Sequence, residues 1–184
     1  MNDTAASARA LSGKIVRLAP FLEAHITADY LGWLNDRRLM RFSRQRHFTH
    51  TRQSCSDYLA SFKNAAHFFW AVEFAADGLL VGTMTMFVDA QNKTADMGIL
   101  IGHKQASGRG CGTEAWGLAL RHGFENLGLR KITGGATAEN RAMLRIFEHW
   151  KMTLEGAQRK QELLDDGPAD VLLYGLLREE WRIC

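Results

Sequence analysis

Six residues in the middle of the chain, Ser107-Gly108-Arg109-Gly110-Cys111-Gly112, alternate glycine with other side chains. Without a Cβ at every second position the backbone can approach a bulky anion closely and turn its N–H groups outward. A helix is predicted from Thr113 to about Glu125. Its unsatisfied first-turn amides and the positive end of its dipole complete an anion site of the size of a pyrophosphate. Two other phosphate loops do not fit. The dinucleotide fingerprint needs a third glycine three places after the second, whereas here the spacing is two and no βαβ unit precedes it; the Walker loop needs a Gly-Lys-Ser or Gly-Lys-Thr end. On spacing alone, a plain tight turn between strand and helix remains an equal alternative.

A second chemically marked stretch runs from Arg37 to Arg52. It holds Arg37, Arg38, Arg41, Arg44, Arg46 and Arg52 with His47 and His50, and no carboxylate. Arginines bind phosphate or carboxylate through paired N–H donors, and Phe42 and Phe48 are placed to anchor the segment or to stack on a base. The alternative is a solvated basic face.

These stretches need elements to position them. Lys14 to Leu18 suits a short strand ended by Pro20. Leu22 to Leu34 sets Ile26, Tyr30, Leu31 and Leu34 at helical intervals, and a second helix is expected from Ser54 to Lys63. Phe68 to Phe74, Leu80 to Val88 and Thr94 to Ile101 form a three-stranded antiparallel meander. After the glycine loop and its helix come a strand from Lys131 to Gly135 and a helix from Asn140 to Trp150. Two strands, Leu154 to Leu164 and Asp170 to Leu177, close the chain around the turn Asp165-Asp166-Gly167-Pro168. The expected fold class is α/β: a mixed, mainly antiparallel sheet of six to seven strands flanked by about four helices.

With 184 residues and 46% hydrophobic content, one domain from residue 14 to 184 is expected, preceded by a flexible leader over residues 1–13. A net charge of +3 is too small for a general nucleic-acid binder. Cys55, Cys111 and Cys184 are too few and too irregular for a disulfide framework or a zinc site, so no metal is expected. No apolar run approaches the roughly 20 residues of a membrane span, and no signal peptide is visible, which together suggest the cytoplasm.

The loop and its continuation, Ser107-Gly108-Arg109-Gly110-Cys111-Gly112-Thr113-Glu114-Ala115, resemble the pyrophosphate loop of the GNAT acetyltransferases, closest to their RimJ/RimL-type branch. The family pattern is Gln or Arg, two residues, Gly, one residue, Gly or Ala. Gly110 and Gly112 match its glycines, while Ser107 stands where Gln or Arg is usual. The likeness extends through Ala95-Asp96-Met97-Gly98-Ile99-Leu100-Ile101-Gly102 and Ala138-Glu139-Asn140-Arg141. Tyr30-Leu31-Gly32-Trp33-Leu34-Asn35-Asp36 resembles a subgroup that includes acetyltransferases of nucleotide-linked amino sugars.

The resemblance implies an acetyl-CoA-dependent transferase acting on a primary amine by direct attack. It assigns the pyrophosphate to Ser107, Gly108, Arg109, Gly110, Cys111, Gly112 and Thr113, and the pantetheine arm to the backbone of Ile99, Leu100 and Ile101. Asn140 and Phe147 would touch the cofactor; as plain residues they would be a helix N-cap and core packing. Phe147 occupies the place where many relatives have a tyrosine that protonates the leaving thiolate, and Lys151-Met152 replaces the family's Gly-Phe. Counting back eleven residues from Ser107, as in the histone-acetyltransferase branch, gives Asp96 as the base, with Glu73, His103 and His149 as alternatives. Cys111, beside an anion site, is expected to have a lowered thiol pKa yet to lie away from the thioester.

In the family the segment between the first two helices forms a wall of the acceptor pocket. Trp33, Arg41, Phe42 and Arg44 are therefore the expected acceptor contacts. An anionic acceptor such as a nucleotide-linked amino sugar is favoured, with a protein N-terminus as the alternative partner and a silent acyl-CoA sensor as a rival of another class. Neither nucleic acid nor membrane is an expected partner, and the sequence is equally compatible with a monomer and a homodimer.

Overall fold

The structure, a computed structural model, describes residues 10–181. Its eight strands form one sheet in the order β1-β2-β3-β4-β5-β6-β8-β7: β1 (Leu11–Ser12), β2 (Val16–Pro20), β3 (Phe68–Phe74), β4 (Leu80–Asp89), β5 (Thr94–Ile101), β6 (Lys131–Thr137), β7 (Thr153–Leu164) and β8 (Gly167–Leu177). All neighbours are antiparallel except β5 and β6, which run parallel. The helices are α1 (Ala28–Asn35), α2 (Arg52–Ala60), α3 (Cys111–Arg121) and α4 (Arg141–His149). No described helix is long and apolar enough to cross a membrane.

The period-2 alternation of β3 shows how the sheet divides its two cores. Trp70 and Val72 join Trp116, Leu120, Phe124, Ile132 and Phe147 under α3 and α4. Phe69 and Ala71 face the other way and pack with Phe21, Ile26, Tyr30, Leu34 and Cys55 under α1 and α2. Both faces of the sheet are covered, which is why β3 reads as an almost uninterrupted apolar run.

The strand and helix pattern read from the sequence matches this architecture, with one strand more than the six to seven expected. The extra strand is β1, which pairs Leu11 with Leu18 and Ser12 with Arg17. Of the expected leader, residues 1–9 lie outside the described residues; Leu11 to Gly13 are held by this pairing and by Gly13 N–H donating to the Val16 carbonyl. The helix expected over Leu22 to Leu34 is instead a single tight turn, Glu23–His25, followed by α1. Thr27 breaks the pattern: its backbone is extended and its hydroxyl accepts from the Tyr30 N–H at 3.2 Å, so it caps a new helix and does not continue an old one. α3 starts two residues early, at Cys111, because Gly110 caps it in the left-handed region, and it continues into a wider turn over His122–Asn126.

Glu114, in the first turn of α3, holds this edge of the sheet to the helix. Its carboxylate accepts the N–H groups of Lys14, Ile15 and Val16 at 2.7–2.8 Å, and a Cβ at Gly13 would come within 2.6 Å of it. An acidic side chain there also complements the helix dipole. Glu114→Ala leaves three N–H groups without their acceptor and is expected to lower unfolding stability by about 2 kcal/mol, measured by urea denaturation, with Glu114→Gln recovering part of the loss.

Candidate active site

The sheet opens at its middle. β5 and β6 are joined by only three residue pairs, Thr94 with Lys131, Ala95 with Ile132 and Asp96 with Thr133. Beyond them, Met97 to Ile101 pair with β4 alone and Gly134 to Thr137 with β8 alone. Each strand thus turns an edge of unpaired backbone groups toward the gap, where an extended amide-bearing chain can take the place of the missing strand partner. Gly82 admits the end of β5: a Cβ there would lie 2.2 Å from the Leu100 carbonyl oxygen. The Val81 carbonyl then accepts both the Gly102 and the His103 N–H.

The glycine loop sits at the mouth of this gap. Gly108 and Gly110 have φ of +71° and +77°, conformations that L side chains adopt at a cost. No side chain caps α3. Its first amides, on Cys111, Gly112 and Thr113, therefore face outward together with the positive end of an eleven-residue helix. Gly112 closes the corner: a Cβ on it would meet Ile146 of α4 at 3.2 Å and Ile101 of β5 at 3.6 Å. Trp150 locks α4 against α3, its Nε1 donating to the Thr113 carbonyl at 2.9 Å and its ring filling the space where Gly117 has no side chain. The guanidinium of Arg109 lies 4.6 Å above the Phe74 ring. These residues fit a pyrophosphate by geometry and by charge.

The Cys111 side chain is turned into the core. The thiol is buried, and loss of hydration raises its pKa against the opposing pull of Arg109, so the lowered thiol pKa expected from the sequence is not what the fold produces. Asn140 caps α4, its Oδ1 accepting from the Met143 N–H at 3.2 Å. Phe147 is fully enclosed, edge-on to Trp116 and stacked on Tyr174 at 4.7 Å, and presents no surface to a ligand here.

On the α1 and α2 side, a cavity of about 580 Å³ reaches the gap through Gly98, Ile99 and Leu100 of β5. Its floor includes Tyr30, Leu34, Met40 and Phe69, and its rim includes Phe48 and Tyr58. None of the residues singled out in the sequence for acceptor contact, Trp33, Arg41, Phe42 and Arg44, lines it; their neighbours Ser43, Gln45, Phe48 and His50 do. Trp33 instead lies against Gly102, edge-on to Tyr30 and His103. Arg41 donates to the Arg38 carbonyl at 2.7 Å and rests over the Phe42 ring.

Asp96 lies at the vertex of the gap, in the last parallel pair, and lines an adjoining hollow with Thr133 and Lys131. Partial loss of hydration raises its pKa, while Thr133 Oγ1, donating at 2.9 Å, pulls the other way. Along one face of a strand it is two residues, about 7 Å, from Gly98. The alternatives are placed elsewhere. Glu73 is paired with Arg17 at 2.6 Å and faces His25 at 3.3 Å, His103 caps a short turn through Nδ1, and His149 is exposed at the end of α4 against Trp150.

The arginine segment is largely committed to the protein itself. Glu162 of β7 accepts from Arg44 Nε at 2.5 Å and from Arg46 Nη2 at 3.2 Å, and these two partners hold its carboxyl below the ordinary range. Arg46 is nearly enclosed and also donates to the Ser43 and Leu163 carbonyls. Arg52 donates to the Ile26 carbonyl. The backbone irregularity that brings Glu162 here lies between Gln158 and Glu162, where Lys160 has φ +53° and its N–H donates to the Asp170 carboxylate. Nothing in the spacing of Glu162 marks it in the sequence; only the fold brings it within reach of residues more than a hundred positions earlier.

Residues 16–153 match the family model described as the acetyltransferase (GNAT) domain. The chain belongs to the GNAT acetyltransferases and is an acetyl-CoA-dependent N-acetyltransferase. Its fold is similar to that of the spermidine N-acetyltransferase from Vibrio cholerae in complex with CoA and spermine, with a TM-score of 0.82 at 18% identity over 91% of this chain and 98% of that one. It is also similar to RimL, a ribosomal L7/L12 alpha-N-protein acetyltransferase in complex with CoA, with TM-score 0.80, 13% identity and 94% and 99% of the two chains. The microcin C7 self immunity acetyltransferase MccE, in complex with acetyl-CoA and AMP, gives 0.75 at 16% over 90% and 93%. No match was found among curated protein sequences. At these identities the likeness is one of fold, and neighbours with such different acceptors do not single out the RimJ/RimL branch.

Two substitutions probe the site. Gly110→Ala meets only Ile15 Cδ1, at 3.6 Å, so its effect isolates backbone strain. A stability loss of about 1 kcal/mol is expected in a thermal melt, with weaker acetyl-CoA binding by calorimetry. Glu162→Ala leaves Arg46 enclosed without its carboxylate and is expected to cost about 2 kcal/mol and to raise KM for the acceptor, with KM for acetyl-CoA unchanged. Because the Glu162 carboxyl is held low when folded, its contribution is complete at neutral pH. It fades as pH falls below the ordinary glutamate range, which an acid titration of stability in the wild type and the variant will show.

Proposed function

We propose that this transferase binds acetyl-CoA with its pyrophosphate on residues 107–113 and its pantetheine arm along Ile99 to Ile101, and that a primary amine entering from the α1 and α2 side attacks the thioester directly. The observation that carries this reading is the meeting of the two spaces at β5: the gap toward β6 and the acceptor cavity share Ile99 and Leu100.

When bound, acetyl-CoA supplies an acetyl group activated as a thioester. The neutral amine forms the new C–N bond as the C–S bond breaks, and the sulfur takes the electron pair. Asp96 receives the surplus amine proton through water spanning the distance to Gly98, a role supported by its raised pKa. With phenylalanine at position 147, the thiol's own acidity, near 8.5, lets it depart as thiolate without a tyrosine donor. The anionic-acceptor reading rests on the arginine segment, of which Arg44 and Arg46 are engaged by Glu162.

Asp96→Asn tests the base. It is expected to lower kcat about 100-fold while KM for acetyl-CoA stays within about twofold. Asp96 accepts protons only when ionised, so wild-type kcat/KM rises with pH through its elevated pKa, and the variant loses this acidic limb. An unchanged pH profile in the variant removes Asp96 from the mechanism.

A further inference from the structure

The acceptor cavity differs from its surroundings in charge. It lies beside a segment rich in arginine, yet among the described residues no aspartate, glutamate, lysine or arginine lines it. The arginines nearest in sequence point elsewhere: Arg41 to the Arg38 carbonyl, and Arg44 and Arg46 to Glu162. What remains is a lining without carboxylate, ammonium or guanidinium, in which Leu34, Met40, Phe48, Phe69, Met84 and Ile99 alternate with the hydroxyls of serine, threonine and tyrosine, the Gln45 amide and the His50 imidazole.

The acid–base groups in that wall add no negative charge near neutrality. Burial pushes the Tyr30 and Tyr58 hydroxyls up, and burial likewise raises the Cys55 thiol despite a hydrogen bond from Ser54. The His50 hydrogen bonds tie it to the chain itself: Nε2 lies 3.1 Å from the Gln45 carbonyl oxygen, its backbone N–H donates to Asn35 Oδ1 at 2.9 Å, and its carbonyl accepts from Asn35 Nδ2 at 2.9 Å. A phosphate, a carboxylate or a second ammonium carried into such a space would lose its hydration with no ion pair in return, whereas an apolar group gains from the same burial.

The aromatic rim reinforces the point. Phe48 is 64% exposed and Tyr58 42% exposed, large apolar surfaces that the fold itself leaves uncovered at the entrance. The floor below them is packed core, and the space has the size of a small-molecule site.

Resting on the assignment of this cavity to the acceptor, we propose that the enzyme acetylates a primary amine borne on an uncharged aromatic or branched aliphatic body, and that it selects against polyamines and nucleotide-linked amino sugars. The amine carried by such a body comes from either of two sources, a free arylalkylamine or the first residue of a peptide beginning with phenylalanine or leucine. Both present the same group to the wall.

The experiment is a competition panel on the intact protein at saturating acetyl-CoA, reading released thiol: phenethylamine, tryptamine, isoamylamine, Phe- and Leu-initiated peptides, spermidine and a nucleotide amino sugar. The expected result is a kcat/KM for the uncharged apolar amines at least about tenfold above those for spermidine and the nucleotide sugar. Faster turnover of free amines than of peptides places the whole body inside the cavity; the reverse places only the first side chain there, and either order supports the proposal. Phe48→Ala, at an exposed position, is expected to raise KM for phenethylamine about fivefold with KM for acetyl-CoA unchanged. Preference for spermidine or the nucleotide sugar overturns the proposal, as does a Phe48→Ala variant whose KM values do not change. Calorimetry of the same amines with CoA bound separates the two readings. Apolar amines that bind more tightly than spermidine yet are not acetylated would overturn both the direct-attack reading and the proposed acetylation, while tighter binding of spermidine would overturn the proposed selectivity alone.

Discussion

The molecule depends on the shortness of one strand pairing. A sheet normally gains by extending every ladder, but β5 and β6 stop after three residue pairs and leave two polar edges facing one another across a gap. Such a gap persists only because both strands are held firmly from outside: β5 by the full length of β4 and by the Val81 carbonyl, β6 by seven pairs with β8. The packing of Trp150 on α3 and the bare positions at Gly112 and Gly117 bring the two halves to their required separation. The backbone groups left unpaired are then available to a ligand instead of to the protein.

What was legible in the sequence follows from this arrangement. The glycine loop, the strands Phe68–Phe74 and Thr94–Ile101 and the helix near 141–149 carry local signals, namely alternation, helical spacing and glycine where φ is positive, and these are visible without the fold. The gap itself is a relation between strands separated by some 30 residues, and β5 beyond Asp96 reads like any half-buried strand. β1 is too short to show a pattern, and the break at Thr27 is a single capping hydroxyl within an otherwise periodic helix.

The acceptor side was the least legible, for a physical reason. A run of arginines without carboxylates advertises an anion, and one anion that two of them meet is a side chain of the same protein. Glu162 pairs with Arg44 and Arg46 from the far end of the chain, so the run of charges in sequence overstates what those two side chains offer to a ligand. Of the residues that do line it, Phe48 stands out in the sequence among the arginines, whereas Tyr58 does not, because aromatic residues more often serve a core.

The bond between Glu162 and the arginine segment also bears on how such an enzyme can be altered. The wall nearest the acceptor and the hairpin that braces it are encoded at opposite ends of the chain, yet they work as one piece. Exchange of residues 37–52 with those of a relative would import a wall without its brace, and a changed hairpin would displace a wall whose own sequence is intact. The geometry of this wall is therefore a joint property of two distant segments of the chain.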